Sequence, residues 1–212
     1  MTEPEAVAGP FADAGQQALA SRLGIWLFLA TEGLLFSGVF TGYVVYRVLW
    51  PEVFATASGH LDLWLGTLNT VLLLTSSFTM AAAHATAAAS RARATAALLT
   101  ATALLGLTFL AIKGLEYRHE YTEGLMPLAG LEFRYAGSHP ERAEMFFNLY
   151  FIGTGLHALH LLVGLGLLAA MVAQALRPQP AAQLARRVAV AGVYWHFIDV
   201  LWIFLFPMFY LI

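Results

Sequence analysis

The chain has 212 residues, 59% of them hydrophobic and 11% charged, with a net charge of −2. A water-soluble domain carries about a quarter charged residues, so this chain cannot cover itself with polar surface and the bilayer is its expected solvent. The slight negative charge and the lack of a basic patch exclude a nucleic-acid partner, and the absence of cysteine excludes disulfides, thiolate metal sites and a cysteine nucleophile.

Residues 1–21 are acidic at the start and rich in Ala and Gly. They lack the basic start and short apolar core of a signal peptide and read as a flexible or surface-lying tail. A membrane helix needs about 20 apolar residues. Five stretches of the domain 22–212 qualify, at about 22–47, 62–86, 94–115, 144–176 and 188–211. The predicted fold is all-α, a polytopic bundle of five transmembrane helices. The fourth stretch exceeds what a bilayer requires and is expected to tilt or project into water. No internal repeat is visible, so a duplicated transporter design gets no support.

Trp50-Pro51 is expected to open the first loop, and Ser90 to Arg93 to form a tight basic turn. Arg177-Pro178-Gln179-Pro180 ends the fourth helix, because proline cannot continue it. The long connection, Glu116 to Arg142, is rich in charge, and its G-L-M-P-L-A-G segment reads as turns. Five spans put the termini on opposite sides. Arg22, Arg91, Arg93, Arg177, Arg186 and Arg187 fall on the side of the N-terminus, which the positive-inside rule makes cytoplasmic, with the C-terminus outside.

Few polar residues lie inside the spans. Glu32 is roughly 15 Å into the first at 1.5 Å per residue. His157 and His160 lie in the middle of the fourth, and His196 and Asp199 roughly 12–16 Å into the fifth. These depths all fall near the central layer, so the sequence permits one buried cluster of a glutamate, an aspartate and three histidines. The cluster has several readings. The groups satisfy one another and pin the helix register; Glu32 relays protons; the histidines with Asp199 ligate a metal; or histidines from two helices hold a haem. Lys113 and Glu116 can pair at i, i+3. The plainer reading there is a lysine that snorkels and a tyrosine, Tyr117, at the interface. His84 sits at a helix end and reads as interfacial.

Three motifs together resemble subunit III of the haem-copper respiratory oxidases. R-L-G-I-W-L-F-L-A-T-E-G-L-L-F-S-G-V-F, from Arg22, resembles the family's helix with a buried glutamate, here Glu32. G-T-G-L-H-A-L-H-L-L-V-G, from Gly153, is similar to its paired-histidine helix, here His157 and His160. Y-W-H-F-I-D-V-L-W-I-F-L-F, from Tyr194, is similar to its terminal helix, with His196 and Asp199. The likeness extends to N-T-V-L-L-L-T-S-S at Asn69 and E-Y-R-H-E-Y-T-E-G-L at Glu116, which makes Asn69 and Glu116 secondary site positions. The chain resembles the short five-helix bacterial type. That type is without the first two helices of the seven-helix members, which help form those members' lipid-filled cleft, so the resemblance does not carry that cleft over.

The resemblance implies a non-catalytic subunit with no cofactor or metal of its own, in the bacterial cytoplasmic membrane. Haem and copper belong to its partner, the catalytic oxidase subunit I. Subunit II, further small subunits and bound phospholipid are the other expected partners. Its role is to support proton uptake and sustained turnover while the partner reduces oxygen and pumps protons. Two rivals are an accessory subunit of a quinol oxidase or nitric oxide reductase, and an independent small transporter or channel.

Overall fold

The computed structural model describes residues 9, 11–127 and 132–212. Residues 1–8 and 10 of the expected tail, and Leu128, Ala129 and Gly130 of the expected turn segment, lie outside the described residues. The elements are α1 (Ala14–Leu49), α2 (Pro51–Ser58), α3 (Leu63–Ala88), α4 (Ala92–Glu123), α5 (Pro140–Ala175) and α6 (Ala181–Tyr210). No strand occurs among the described residues. Five helices, all but α2, are long and apolar enough to cross a membrane. Helices suit that solvent because every backbone polar group is satisfied within the segment.

Local chemistry sets the helix ends, and several lie beyond the expected ones. α1 starts at Ala14 rather than near residue 22, because the Asp13 side chain accepts the Gln16 amide and caps it. Pro51 opens a short helix instead of a loop. Proline is favoured there, since the first-turn N–H it lacks has no intrahelical acceptor anyway. Asp62 caps α3 by accepting from the Trp64 and Leu65 amides. α4 runs on through Glu116 to Glu123 and stops at Gly124, whose φ of 75° suits glycine. The Arg134 amide then donates to the Gly124 carbonyl at 2.9 Å, which folds the connection back on the helix end.

α3, α4, α5 and α6 form a closed ring: α3 packs on α4, α4 on α5, α5 on α6 and α6 on α3. α1 leans on the outside of this ring against α5 and α6, and α2 lies against α5. α6 is accordingly the most buried span and α1 the least. The inward stripe of α1 is Leu29, Phe36, Val39 and Tyr43, with partly buried Glu32 in register between the first two. The spacing alternates threes and fours, as one helix face requires.

Apolar side chains gain little from each other in lipid, so close approach and polar contacts hold membrane helices together. Both are present. Trp195 Nε1 donates to Ser76 Oγ, and Trp202 Nε1 to Thr70 Oγ1, each at 3.0 Å, tying α6 to α3. Thr79 and Thr102 meet at 2.8 Å, and Thr86 and Thr95 at 3.0 Å, tying α3 to α4. Gly106 lets α4 approach α6: a Cβ there would lie 2.8 Å from the rigid Trp195 ring. Gly114, on the same helix, faces open space. We expect Gly106→Ala to lower stability by about 1–3 kcal/mol through overpacking, and Gly114→Ala to leave it unchanged or slightly raised. Thermal unfolding in mild detergent compares them, and equal midpoints would show that Gly106 is not a contact point.

Candidate functional site

The structure separates the five polar residues expected to form one cluster. Only Glu32 and His160 hydrogen-bond to each other, with Oε2 and Nε2 2.8 Å apart. Glu32 comes from α1 and His160 from α5, and both side chains are largely buried. His160 Nδ1 lies 2.7 Å from the Leu156 carbonyl, one turn back on its own helix. That contact takes a proton on Nδ1, so the contact between Nε2 and Glu32 Oε2 needs a second hydrogen, carried by the ring nitrogen or by the carboxyl group. Phe36 packs edge-on against the same imidazole, 5.4 Å between ring centres. The pair is a bolt between α1 and the ring, set into the middle of an otherwise apolar seam.

His157 faces elsewhere. It is fully buried inside the ring, between Phe109 of α4 and Trp202 of α6, and neither ring nitrogen has a hydrogen-bond partner. The reason is angular: three residues along a helix turn the side chain by about 60°, enough here to send one histidine to α1 and the other inward. His196 meets Ser77 of α3, with Nδ1 and Oγ 2.7 Å apart. Asp199, one turn further on α6, is 4% exposed, with the same Ser77 beside its carboxyl group. The secondary position Asn69 is likewise buried with its amide unpartnered. Among the described residues no three His, Asp or Glu side chains converge as a metal site would need.

A second polar site lies where α4, α5 and α6 meet. Lys113 is 2% exposed and does not snorkel, contrary to the plainer expectation. Its ammonium donates to Glu116 Oε2 at 3.0 Å, to the Tyr150 hydroxyl at 2.8 Å and to the Tyr210 hydroxyl at 2.5 Å. An ammonium has three hydrogens, and all three are used. The Tyr210 hydroxyl donates to Glu116 Oε1 at 2.5 Å. The Tyr150 hydroxyl lies 3.0 Å from Glu116 Oε1 and 2.9 Å from Glu120 Oε1. Glu116 and Glu120 are 2% and 1% exposed. Nearby, Tyr117 and Thr154 share a hydrogen bond of 2.5 Å, a further α4–α5 contact.

A model of the family described as cytochrome c oxidase subunit III matches residues 3–212, nearly the whole chain. The chain belongs to that family. The family is that of a non-catalytic haem-copper oxidase subunit, a membrane protein that acts with subunit I. The chain is similar to cytochrome c oxidase subunit 3 of Thermostichus vulcanus, 31% identical over 194 residues that cover 90% of this chain and 86% of the relative. It is similar to cytochrome bo(3) ubiquinol oxidase subunit 3 of Pseudomonas putida, 29% identical over 202 residues, 94% of this chain and 88% of the relative. It also matches the heme-copper oxidase subunit I+III of Aeropyrum pernix, 28% identical over 200 residues, 90% of this chain and 22% of that longer protein.

In this subunit III chain the sequence pointed to Glu32 and His160, whereas the Lys113 site was largely missed. Its signal was present. The buried positions Gly106, Phe109, Lys113, Glu116 and Glu120 continue one stripe in steps of three and four. Glu116 opens the expected connection because acids are rare in a span, and Lys113 is expected to snorkel at the helix end, yet the stripe runs straight through both. Glu120 fell in the expected connection for the same reason. Removing one member of a buried ion pair leaves an uncompensated charge. Lys113→Met is therefore expected to destabilise the chain by about 3–5 kcal/mol, read as a lowered unfolding midpoint of the subunit within its complex; an unchanged midpoint would show that Lys113 is not buried as described.

Proposed function

We propose that the chain works as the non-catalytic subunit III of a bacterial haem-copper terminal oxidase of the cytochrome c oxidase type. It packs on subunit I and supports proton uptake and sustained turnover while the partner reduces oxygen and pumps protons. The haems and copper reside in the partner subunits, with subunit II and smaller subunits completing the complex. No catalytic centre lies in this chain. The observation that carries this reading is the family match from residue 3 to residue 212. It replaces the reading as an independent transporter.

The geometry adds support. Glu32 and His160 form a titratable pair halfway along α1 and α5, where an ionisable residue is expensive and its presence points to function. Glu32 joins α1 to the ring and at the same time stays partly open at that seam. The outer face of α1, with Trp26, Leu27, Leu34 and Val48, is exposed apolar surface, suited to lipid or to a neighbouring subunit. A groove of about 750 Å³ runs between the start of α1, the end of α5 and the start of α6. Phe28, Val163 and Leu167 line it, and Arg22, Arg186 and Arg187 stand among its walls. Apolar walls with basic groups suit a phospholipid, which we include among the partners.

We place the chain in the cytoplasmic membrane with the start of α1 inside and the end of α6 outside. The α3–α4 turn then carries Arg91, with Arg93 just beyond it, to the cytoplasmic side, and the α5–α6 connection carries Arg177 there. A second reading keeps the fold and changes the electron donor: the Pseudomonas putida relative, matched over 94% of this chain, is named for ubiquinol.

Two measurements test the role. Purified from membranes in mild detergent, the tagged chain is expected to bring a haem-bearing subunit with it; a chain that purifies alone, and carries transport activity when reconstituted, would end the proposal. In the assembled complex, Glu32→Gln is expected to start at the wild-type rate and then lose activity or pumping over successive turnovers. Complete loss of initial activity would assign Glu32 a direct catalytic part instead. Activity with reduced cytochrome c against activity with a quinol decides between the two donors.

A further inference from the structure

The site between α4, α5 and α6 has fewer hydrogens than its geometry needs. Six contacts of 3.0 Å or less join its polar atoms. They are Lys113 to Glu116, to Tyr150 and to Tyr210; Tyr210 to Glu116; and Tyr150 to Glu116 and to Glu120. With both carboxyl groups ionised, the ammonium supplies three hydrogens and each phenol one. That leaves the six contacts one hydrogen short. The shortage falls on Tyr150, whose single O–H faces two carboxyl oxygens at nearly equal distance. Two oxygens do not sit at 2.9–3.0 Å without a hydrogen between them.

A second observation points to the same atom. Glu120 Oε2 is buried with no hydrogen-bond partner among the described residues. For a carboxylate this is costly, because half of its charge would face no donor; for the C=O of a neutral acid it costs far less. Charge counting agrees, since Lys113 is one cation facing two acids. The other titratable groups that interact with Glu120 supply no further positive charge: they are Glu123 and Tyr117 of α4, Tyr150 of α5 and Tyr210 of α6.

We propose that this site binds one proton, held by Glu120 as a neutral acid. Glu120 Oε1–H donates to Tyr150 Oη, and the Tyr150 O–H donates to Glu116 Oε1, which in this arrangement is the ionised acid beside Lys113. The chain from Glu120 through Tyr150 to Glu116 is continuous, so the proton has two resting places. In the transfer the Tyr150 O–H bond breaks as its proton joins Glu116 Oε1. The Glu120 O–H bond breaks as that proton joins Tyr150 Oη. Tyr150 is neutral before and after, and one negative charge has moved along α4 from Glu116 to Glu120. This site is separate from Glu32 and His160, and it gives the subunit a second place for a proton, toward the end of the bundle where α4 and α6 finish.

Infrared spectra of the assembled complex in lipid, wild type against variant, test the assignment. E120Q is expected to remove one carbonyl-stretch band of a protonated carboxylic acid. It should leave the unfolding midpoint near wild type, since glutamine is neutral and its N–H2 replaces the donated hydrogen. E116Q is expected to remove carboxylate absorption instead, and to lower the midpoint because Lys113 loses its anion. Loss of carboxylate absorption in E120Q, with every acid band retained, would overturn the proposal. Should E120Q not assemble, Y150F serves: the acid band is expected to persist and move to higher frequency as its acceptor is lost. An acid spectrum that Y150F leaves unaltered would overturn it equally.

Discussion

In hydrocarbon a leucine is as well solvated by lipid tails as by another helix, so a bundle of apolar rods has no hydrophobic reason to stay together. What holds this one is the cost of leaving a polar group unanswered in such a medium. Lys113 expresses the constraint most fully. Its three N–H groups find Glu116, Tyr150 and Tyr210, one acceptor from its own helix and one from each of the next two. A small relative slide of α4, α5 or α6 would strand a buried cation, so the register of the ring is fixed at this point. Trp195 on Ser76 and Trp202 on Thr70 do the same between α6 and α3 with neutral donors.

At α1 a bond of the same kind ties the helix to the ring. Glu32 meets His160, and around that contact the helix offers only a narrow inward stripe. The rest of its surface is exposed and largely apolar, with Trp26, Leu27, Leu34 and Val48 among the outward side chains. The contrast between the Lys113 site and the Glu32 pair is physical. One is sealed by phenols and closed on every side, so its protons exchange among its own members. The other sits at the seam between α1 and α5 and is only largely, not wholly, buried. Family membership gives that difference its meaning: a non-catalytic oxidase subunit needs contacts outward as well as cohesion inward.

Much of this was readable from the residues alone. The five spans follow from apolar length, and Glu32, the paired histidines and the His196–Asp199 helix stand out because charge is scarce in such segments. The same scarcity misled at α4. By hydropathy Glu116 and Glu120 lie beyond the end of a span, although the three-and-four spacing of its buried face continues through both. At α1 and α2 the local signals, Asp13 as a cap and Pro51 as a first helical residue, were short-range and easily outweighed by hydropathy.

The sequence by itself determined that the chain lives in a bilayer as helices, where they run, and which side chains are too polar to face lipid. These depend on composition and on spacing along one helix. Only the tertiary structure decided which polar group meets which. His157 and His160 are three residues apart, yet one lies among aromatic rings inside the bundle and the other grips Glu32 at its edge. Depth in the membrane is a one-dimensional quantity that a sequence carries. The direction a side chain faces depends on how neighbouring helices are turned about their axes, and that is set by packing across the bundle.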